Sequence, residues 1–246
     1  MSTDLTFFTN EPKAALVDRF KSTLRAVRYF DVLVGYFRTS GFHQLADSLE
    51  SVEKIRILVG LNVDQKTFEL IDTVRIQTNI DFTSHKDTSN AAMEAAVTEI
   101  DASSDDFLTE YGIKKFIEFL STDCPNPEED KANGGNGKKL EFRAYPSGNI
   151  HAKVYISRYR EEQVSFGSVI TGSSNFSHSG LIGNREFNVE LKNRGDVDFA
   201  LNQFEDLWKD GVDISEKFVD TVRTKTWLNE DISPYQLYLK MLYEYL

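Results

Sequence analysis

Apolar and polar positions follow two periods along this chain of 246 residues. From Pro12 to Val27, Ala15, Leu16, Phe20, Leu24 and Val27 fall on one stripe at helical spacing, which predicts an amphipathic helix. A strand from Tyr29 to Phe37, a helix from Gly41 to Ser51, a strand from Lys54 to Leu61 and a helix from about Asp64 follow, an α/β alternation. Residues 74 to 103 are polar and without a clear period, Asp105 to Leu120 predicts a helix, and Pro125 to Lys139, rich in Pro, Gly and Asn, predicts a loop. Three strands come next, Asn149 to Ile156, Val164 to Thr171 and Arg185 to Lys192, and then helices over about 196 to 210, 213 to 227 and 234 to 245. The pattern predicts an α/β fold over residues 1–195, a mixed sheet flanked by helices, with a helical C-terminal extension over 196–246.

The three late strands carry the chemistry. Ile150, Ala152, Val154 and Ile156 alternate with His151, Lys153 and Tyr155, so a strand sets the imidazole and the ammonium side by side on one face. The second strand runs into Gly172-Ser173-Ser174-Asn175, small residues whose backbone N–H groups can approach an anion closely. On the third, Phe187, Val189 and Leu191 alternate with Glu186, Asn188 and Glu190. Each piece alone has an ordinary explanation: a solvated strand face, a turn, a surface carboxylate. Together, in this order, they assemble a nucleophile, a phosphate-binding cation, an anion-binding loop and a carboxylate suited to a phosphodiester.

His151, Lys153, Gly172, Ser173 and Asn175 resemble the signature of the phospholipase D superfamily, His-x-Lys followed by Gly-Ser-x-Asn. Glu186, eleven residues after Asn175, is similar to the acidic residue of its nuclease and restriction-endonuclease branch. Phe30 to Phe37 and Ile55 to Gly60 look like that branch's opening strands, so the resemblance covers about residues 5 to 195. The family's supporting Asp falls on Arg158, a departure that weakens a phospholipase reading more than a nuclease one. The resemblance implies a phospholipase D-like mixed sheet and attack of an imidazole on phosphorus. It also implies charge stabilisation by Lys153, Asn175 and the Gly172, Ser173 and Ser174 backbone, with no metal or other cofactor. Glu186 is the expected partner of His151, with Glu190 as the fallback.

That scheme uses two imidazoles. Of the other histidines, His43 falls near a helix start, His85 lies in a polar run and His178 follows Asn175 by three. A complete site is therefore expected across the two-fold axis of a homodimer.

Charge changes the picture of the partner. The formal charge of −11 argues against a protein that coats DNA indiscriminately. Residues 131 to 160 nevertheless hold seven basic residues against one acidic, whereas 94 to 130 hold eleven acidic against two basic. Lys138, Lys139, Arg143 and Arg158 are accordingly candidates for substrate contact along a positive funnel, with nucleic acid, DNA rather than RNA, as the expected partner. Two solvated faces explain the same runs.

No stretch is apolar enough to span a bilayer, the N-terminus lacks a signal-sequence pattern, and the single Cys124 suits a reducing cytoplasm. The apolar run from Ile232 to Leu242 resembles the junction to an ATP-driven helicase in large bacterial proteins of DNA restriction or phage defence, although an ordinary docked helix explains it too. Two other functions use the same residues: a catalytically silent nucleic-acid-binding module and a lipid phosphodiesterase. The second lacks an amphipathic basic membrane-binding stretch.

Overall fold

A computed structural model describes residues 5–11, 15–60, 88–94, 97, 107–146, 150–161, 163 and 165–225. The predicted helix from Asp64, His85 and the helix over 234 to 245 lie outside the described residues. Eight strands form one mixed sheet: β1 (Leu5–Thr9), β2 (Val27–Val34), β3 (Lys54–Gly60), β4 (Leu140–Tyr145), β5 (Lys153–Tyr159), β6 (Gly167–Gly172), β7 (Phe187–Leu191) and β8 (Val212–Asp213). Their order across the sheet is β1-β7-β6-β5-β2-β3-β4-β8. Strands β2, β3 and β4 run parallel to one another, and β5 is antiparallel to β2.

Helices cover both faces. On one face α1 (Leu16–Thr23), α2 (Thr39–Leu49), α3 (Phe107–Ser121) and α6 (Ser215–Lys225) close over the larger core, to which Phe20, Phe42, Phe116 and Phe218 contribute fully buried rings. On the other, α5 (Arg194–Asp210) lies over Leu33, Leu58, Ile156 and Val169. Between Cys124 and β4, a short helix, α4 (Pro127–Ala132), occupies what the sequence predicts as loop. Strands buried on both sides explain the near-continuous apolar runs of β2 and β3.

The second face holds a buried charge cluster. Asp31, 1% exposed, receives Arg56 Nε at 2.6 Å and Arg158 Nη2 at 3.1 Å, while Arg56 also binds Glu205 of α5 at 2.7 Å. The guanidinium of Arg56 lies over Phe204 and that of Arg158 over Tyr29. Burial alone would raise the Asp31 carboxyl, but the two arginines outweigh it and hold it below its ordinary value.

Strand β7 corrects one expectation. Its polar residues Asn188 and Glu190 are buried, at 1% and 0% exposure, whereas Phe187 is 59% exposed. The apolar face lies toward α5, which covers β4, β5 and β6; Phe187 there meets Phe7 of β1 at a ring separation of 5.5 Å. The polar face lies toward α1, whose Arg19 pairs with Glu190. Alternation identified two faces but not which of them α5 leaves uncovered.

Asp31→Ala removes the partner shared by two half-buried guanidinium groups, of which Arg56 keeps Glu205 and Arg158 keeps no carboxylate among the described residues, and a loss of about 3 kcal/mol in urea unfolding is expected. Because the folded carboxyl is held low, the stability it contributes is fully present above its ordinary value. It is lost as pH falls through the depressed value. Asp31→Asn should flatten that acid limb.

Candidate active site

Gly35 follows β2 directly and Gly60 ends β3, and the chain entering β5 crosses over both. A Cβ on Gly35 would stand 2.5 Å from the Ile150 oxygen and 3.1 Å from His151 Cα, and one on Gly60 would stand 2.8 Å from the same oxygen. The Gly35 N–H donates to the Ala152 carbonyl at 2.9 Å. His151 thus sits just before β5, at the C-terminal edge of the parallel strands, where ligands bind in open α/β sheets. Val34 pairs with Lys153, Val154 with Thr171 and Gly172 with Asn188, so the residues from His151 to Glu186 collect along this one edge.

His151 is exposed, and Lys153 Nζ lies 3.4 Å from its Nδ1 and 3.1 Å from its carbonyl oxygen. Burial lowers the Lys153 ammonium from the ordinary lysine value, and the Glu186 carboxylate opposes that shift. A lysine partly stripped of water gains a counter-charge from an incoming anion.

The Gly172 to Asn175 loop is clamped from below. Gly172 lies so close to β7 that a Cβ would be 2.2 Å from the Phe187 oxygen. The buried Tyr155 hydroxyl donates to the Ser174 carbonyl at 2.8 Å, and Asn188 Nδ2 donates to Ser174 Oγ at 2.9 Å. Desolvation holds the Tyr155 phenol well above its ordinary value, so it remains a neutral donor. The Ser174 side chain is fully buried and anchors the loop from beneath. Ser173 Oγ donates to Glu186 and accepts from the Phe187 N–H, while Asn184 Nδ2 donates to the other Glu186 oxygen at 3.3 Å. The Asn175 amide oxygen is buried without a hydrogen-bond partner among the described residues. Tyr155, Asn188 and Gly35 are supports that sequence reasoning missed; the glycine closing an apolar strand was the available signal.

Other expected residues lie elsewhere. The Glu186 carboxylate is bound by Ser173 and Asn184 rather than by His151, and Glu190 is committed to Arg19 of α1. The funnel of cations is not assembled. Lys138 and Lys139 precede β4 at the opposite edge, where Lys138 pairs with Asp123 at 2.7 Å and Lys139 donates to the Glu50 carbonyl at 2.6 Å. Arg143 is held by Glu141 and by the Trp208 and Gly134 carbonyls, and Arg158 by Asp31. Each cation has an internal partner that the local charge count could not reveal.

Residues 125–208, which contain His151 through Glu186, match the family model described as cardiolipin synthase, phospholipase D-like domain. Over this segment, about a third of its length, the chain is similar to a phospholipase D-like domain. No curated protein matches the chain in sequence. Among solved structures it is similar to Nuc from Salmonella typhimurium, a phospholipase D family member. That match has 14% identity and a TM-score of 0.45, over 85% of this chain and 96% of that one. NucT from Helicobacter pylori is similar at 11% identity and a TM-score of 0.43, over 85% and 98% of the two chains. A phosphatidylserine synthase from Haemophilus influenzae is similar at 11% identity and a TM-score of 0.46, over 98% of this chain and 45% of that one. Likeness at this level carries no argument about activity.

Two outcomes test the geometry. Gly35→Ala is expected to cost about 1–3 kcal/mol in chemical denaturation and to shift the His151 ring resonances, because the 150–151 backbone must move. Glu186→Gln removes the influence that raises the Lys153 ammonium, so NMR titration should place Lys153 lower still than in the parent.

Proposed function

We propose that the protein is a metal-independent phosphodiesterase acting on nucleic acid, DNA rather than RNA, through a phosphohistidine on His151. The observation that carries the reading is the Lys153 ammonium, 3.4 Å from the exposed His151 imidazole at a sheet edge shared with the clamped Gly172–Asn175 loop.

An incoming phosphate draws Lys153 away from His151 Nδ1. With the proton on Nδ1, the Nε2 lone pair attacks phosphorus; the N–P bond forms as the P–O bond to the leaving group breaks. A second, protonated imidazole gives its proton to that oxygen. Lys153, the Asn175 side chain and the Gly172 to Ser174 backbone stabilise the added charge. Water then attacks phosphorus, the N–P bond breaks, and the second imidazole takes the water's proton. Glu186 is assigned to the local charge balance, through Lys153 and Ser173.

The second imidazole is assigned to a second copy of the chain, each contributing His151, Lys153 and Asn175 across a two-fold axis. His43 is turned elsewhere: its Cβ packs against Gly112 of α3. His178, exposed beside Ser40, is the in-chain competitor for the role. A role in restriction or phage defence beside a helicase motor is the biological setting proposed with this chemistry.

One observation favours a second reading: the matching family model carries the description of a cardiolipin synthase, a lipid enzyme. Among the described residues no helix is long and apolar enough to cross a membrane.

Wild type should cut labelled single- or double-stranded DNA in excess EDTA, and His151→Ala should lose at least about a thousandfold in kcat. Lys153→Ala should weaken DNA binding more than His151→Ala does. Mixing wild type with His151→Ala at fixed total protein should lower specific activity more than in proportion, because mixed dimers hold incomplete sites. Cleavage of phosphatidylglycerol or cardiolipin with no attack on DNA would replace the nucleic-acid reading with the lipid one.

A further inference from the structure

The segment from Gly35 to Ser40 links the two halves of the site. At one end Gly35 donates to the Ala152 carbonyl beside His151; further along, Arg38 N–H donates to the Phe176 carbonyl at 2.9 Å and His178 N–H donates to Ser40 Oγ at 3.3 Å. Phe37 forms a bridge with Phe176, and their rings stack at 5.5 Å and 8° above Phe116 and Phe142 in the core. In extended backbone, alternate residues project to opposite sides. With Phe37 turned inward, Tyr36 and Arg38 project together away from the core. Their side chains lie on each other: the Arg38 guanidinium is 5.0 Å from the centre of the Tyr36 ring and its Nε bonds the Tyr36 hydroxyl.

This arginine differs from those of the sheet. Arg28, Arg56 and Arg158 each pair with a carboxylate, whereas Arg38 is exposed and pairs with none among the described residues. A cation at the rim of an acidic protein, without a counter-charge among the described residues, is available to an external anion. Three residues span at most about 10 Å from Gly35, which keeps Arg38 near the edge that carries His151 and Lys153. A ring backed by a guanidinium also offers a flat face on which a base can stack.

We infer that Tyr36 and Arg38 form a second subsite, which takes the nucleotide flanking the scissile phosphate of a single strand: Arg38 binds its phosphate and Tyr36 stacks its base. This deepens the nuclease reading and rests on it for the substrate class. Shape and stacking select single-stranded over paired nucleic acid here, because a base inside a duplex cannot lie on the ring.

The test is fluorescence anisotropy with a labelled single-stranded oligodeoxynucleotide across a salt series, on the His151→Ala protein so that nothing is cut. Adding Arg38→Ala should weaken binding about tenfold and reduce the slope of log Kd against log salt by about 0.7, the signature of one lost phosphate contact on a single strand. Arg38→Gln should do the same, and Arg38→Lys should keep the slope. Tyr36→Ala should weaken binding roughly five- to a hundredfold with the slope unchanged, and Tyr36→Phe should bind as the parent does. Equal affinity and slope in all variants would overturn the subsite. So would a parent that binds phosphatidylglycerol vesicles through Arg38 but no oligonucleotide, or one that binds neither. Cleavage by wild type is scored separately. Cutting with no Arg38-dependent slope sinks the subsite and leaves the nuclease, whereas an Arg38-dependent slope without cutting sinks the catalytic reading and leaves the subsite.

Discussion

The backbone of Ile150 and His151 lies against the ends of two parallel strands at a distance only glycine permits, and the site depends on that contact. Gly35 and Gly60 each close an apolar strand with the same Leu-Val-Gly ending, and a side chain at either would strike the Ile150 carbonyl. A carbonyl wedged between two strand ends has little room to move, so the residue after it is aimed by the sheet rather than by a loop. Lys153 follows in register with Val34, and the Gly172 loop follows in register with β7. Clamping Ser174 through Tyr155 and Asn188 applies the same logic from beneath: rigid, buried donors hold a loop whose upper surface stays free for an anion.

Charge is distributed by a second rule. With a formal charge of −11, carboxylates are plentiful, and the described cations along the sheet's other edge and its α5 face are absorbed by them or by carbonyls. Burying these pairs costs desolvation, which is offset where both carboxylate oxygens meet a charged donor, as at Asp31. Among the described residues, positive charge at this edge includes Lys153, Arg38 and Arg185, a few local cations in place of the predicted funnel. On the proposed nuclease reading, such a protein gains little from nonspecific attraction to a polyanion and relies on a few placed contacts.

Legibility in the sequence followed the strength of each local signal. The strands beginning near Tyr29 and Lys54, the helices near Gly41 and Asp105 and the mixed α/β character were readable from period and turn residues. The juxtaposition of His151 and Lys153 was readable too, although His151 precedes the strand instead of lying within it. Strand β4 was not readable, because Leu140 to Tyr145 buries Glu141, which pairs with both Arg143 and Lys54, and so breaks the apolar pattern. Strand β1 is short and at an edge, with Leu5 and Phe7 exposed, so its pattern carries no burial signal. The fate of Lys138, Lys139, Arg143 and Arg158 was hidden for a different reason: their partners come from Asp123, Glu50, Glu141 and Asp31, and only the sheet order brings the distant ones close. Local composition records how many charges a segment has, not which of them remain free.

The central claim is that His151 forms a covalent bond to phosphorus, and stereochemistry at that atom tests it directly. An oligonucleotide with one phosphorothioate of defined configuration would be hydrolysed in oxygen-18 water and the product's configuration determined. Two successive in-line displacements, one by His151 and one by water, invert the centre twice, so overall retention is the predicted result. Overall inversion would mean that water attacks the substrate in a single step, and it would contradict the phosphohistidine account.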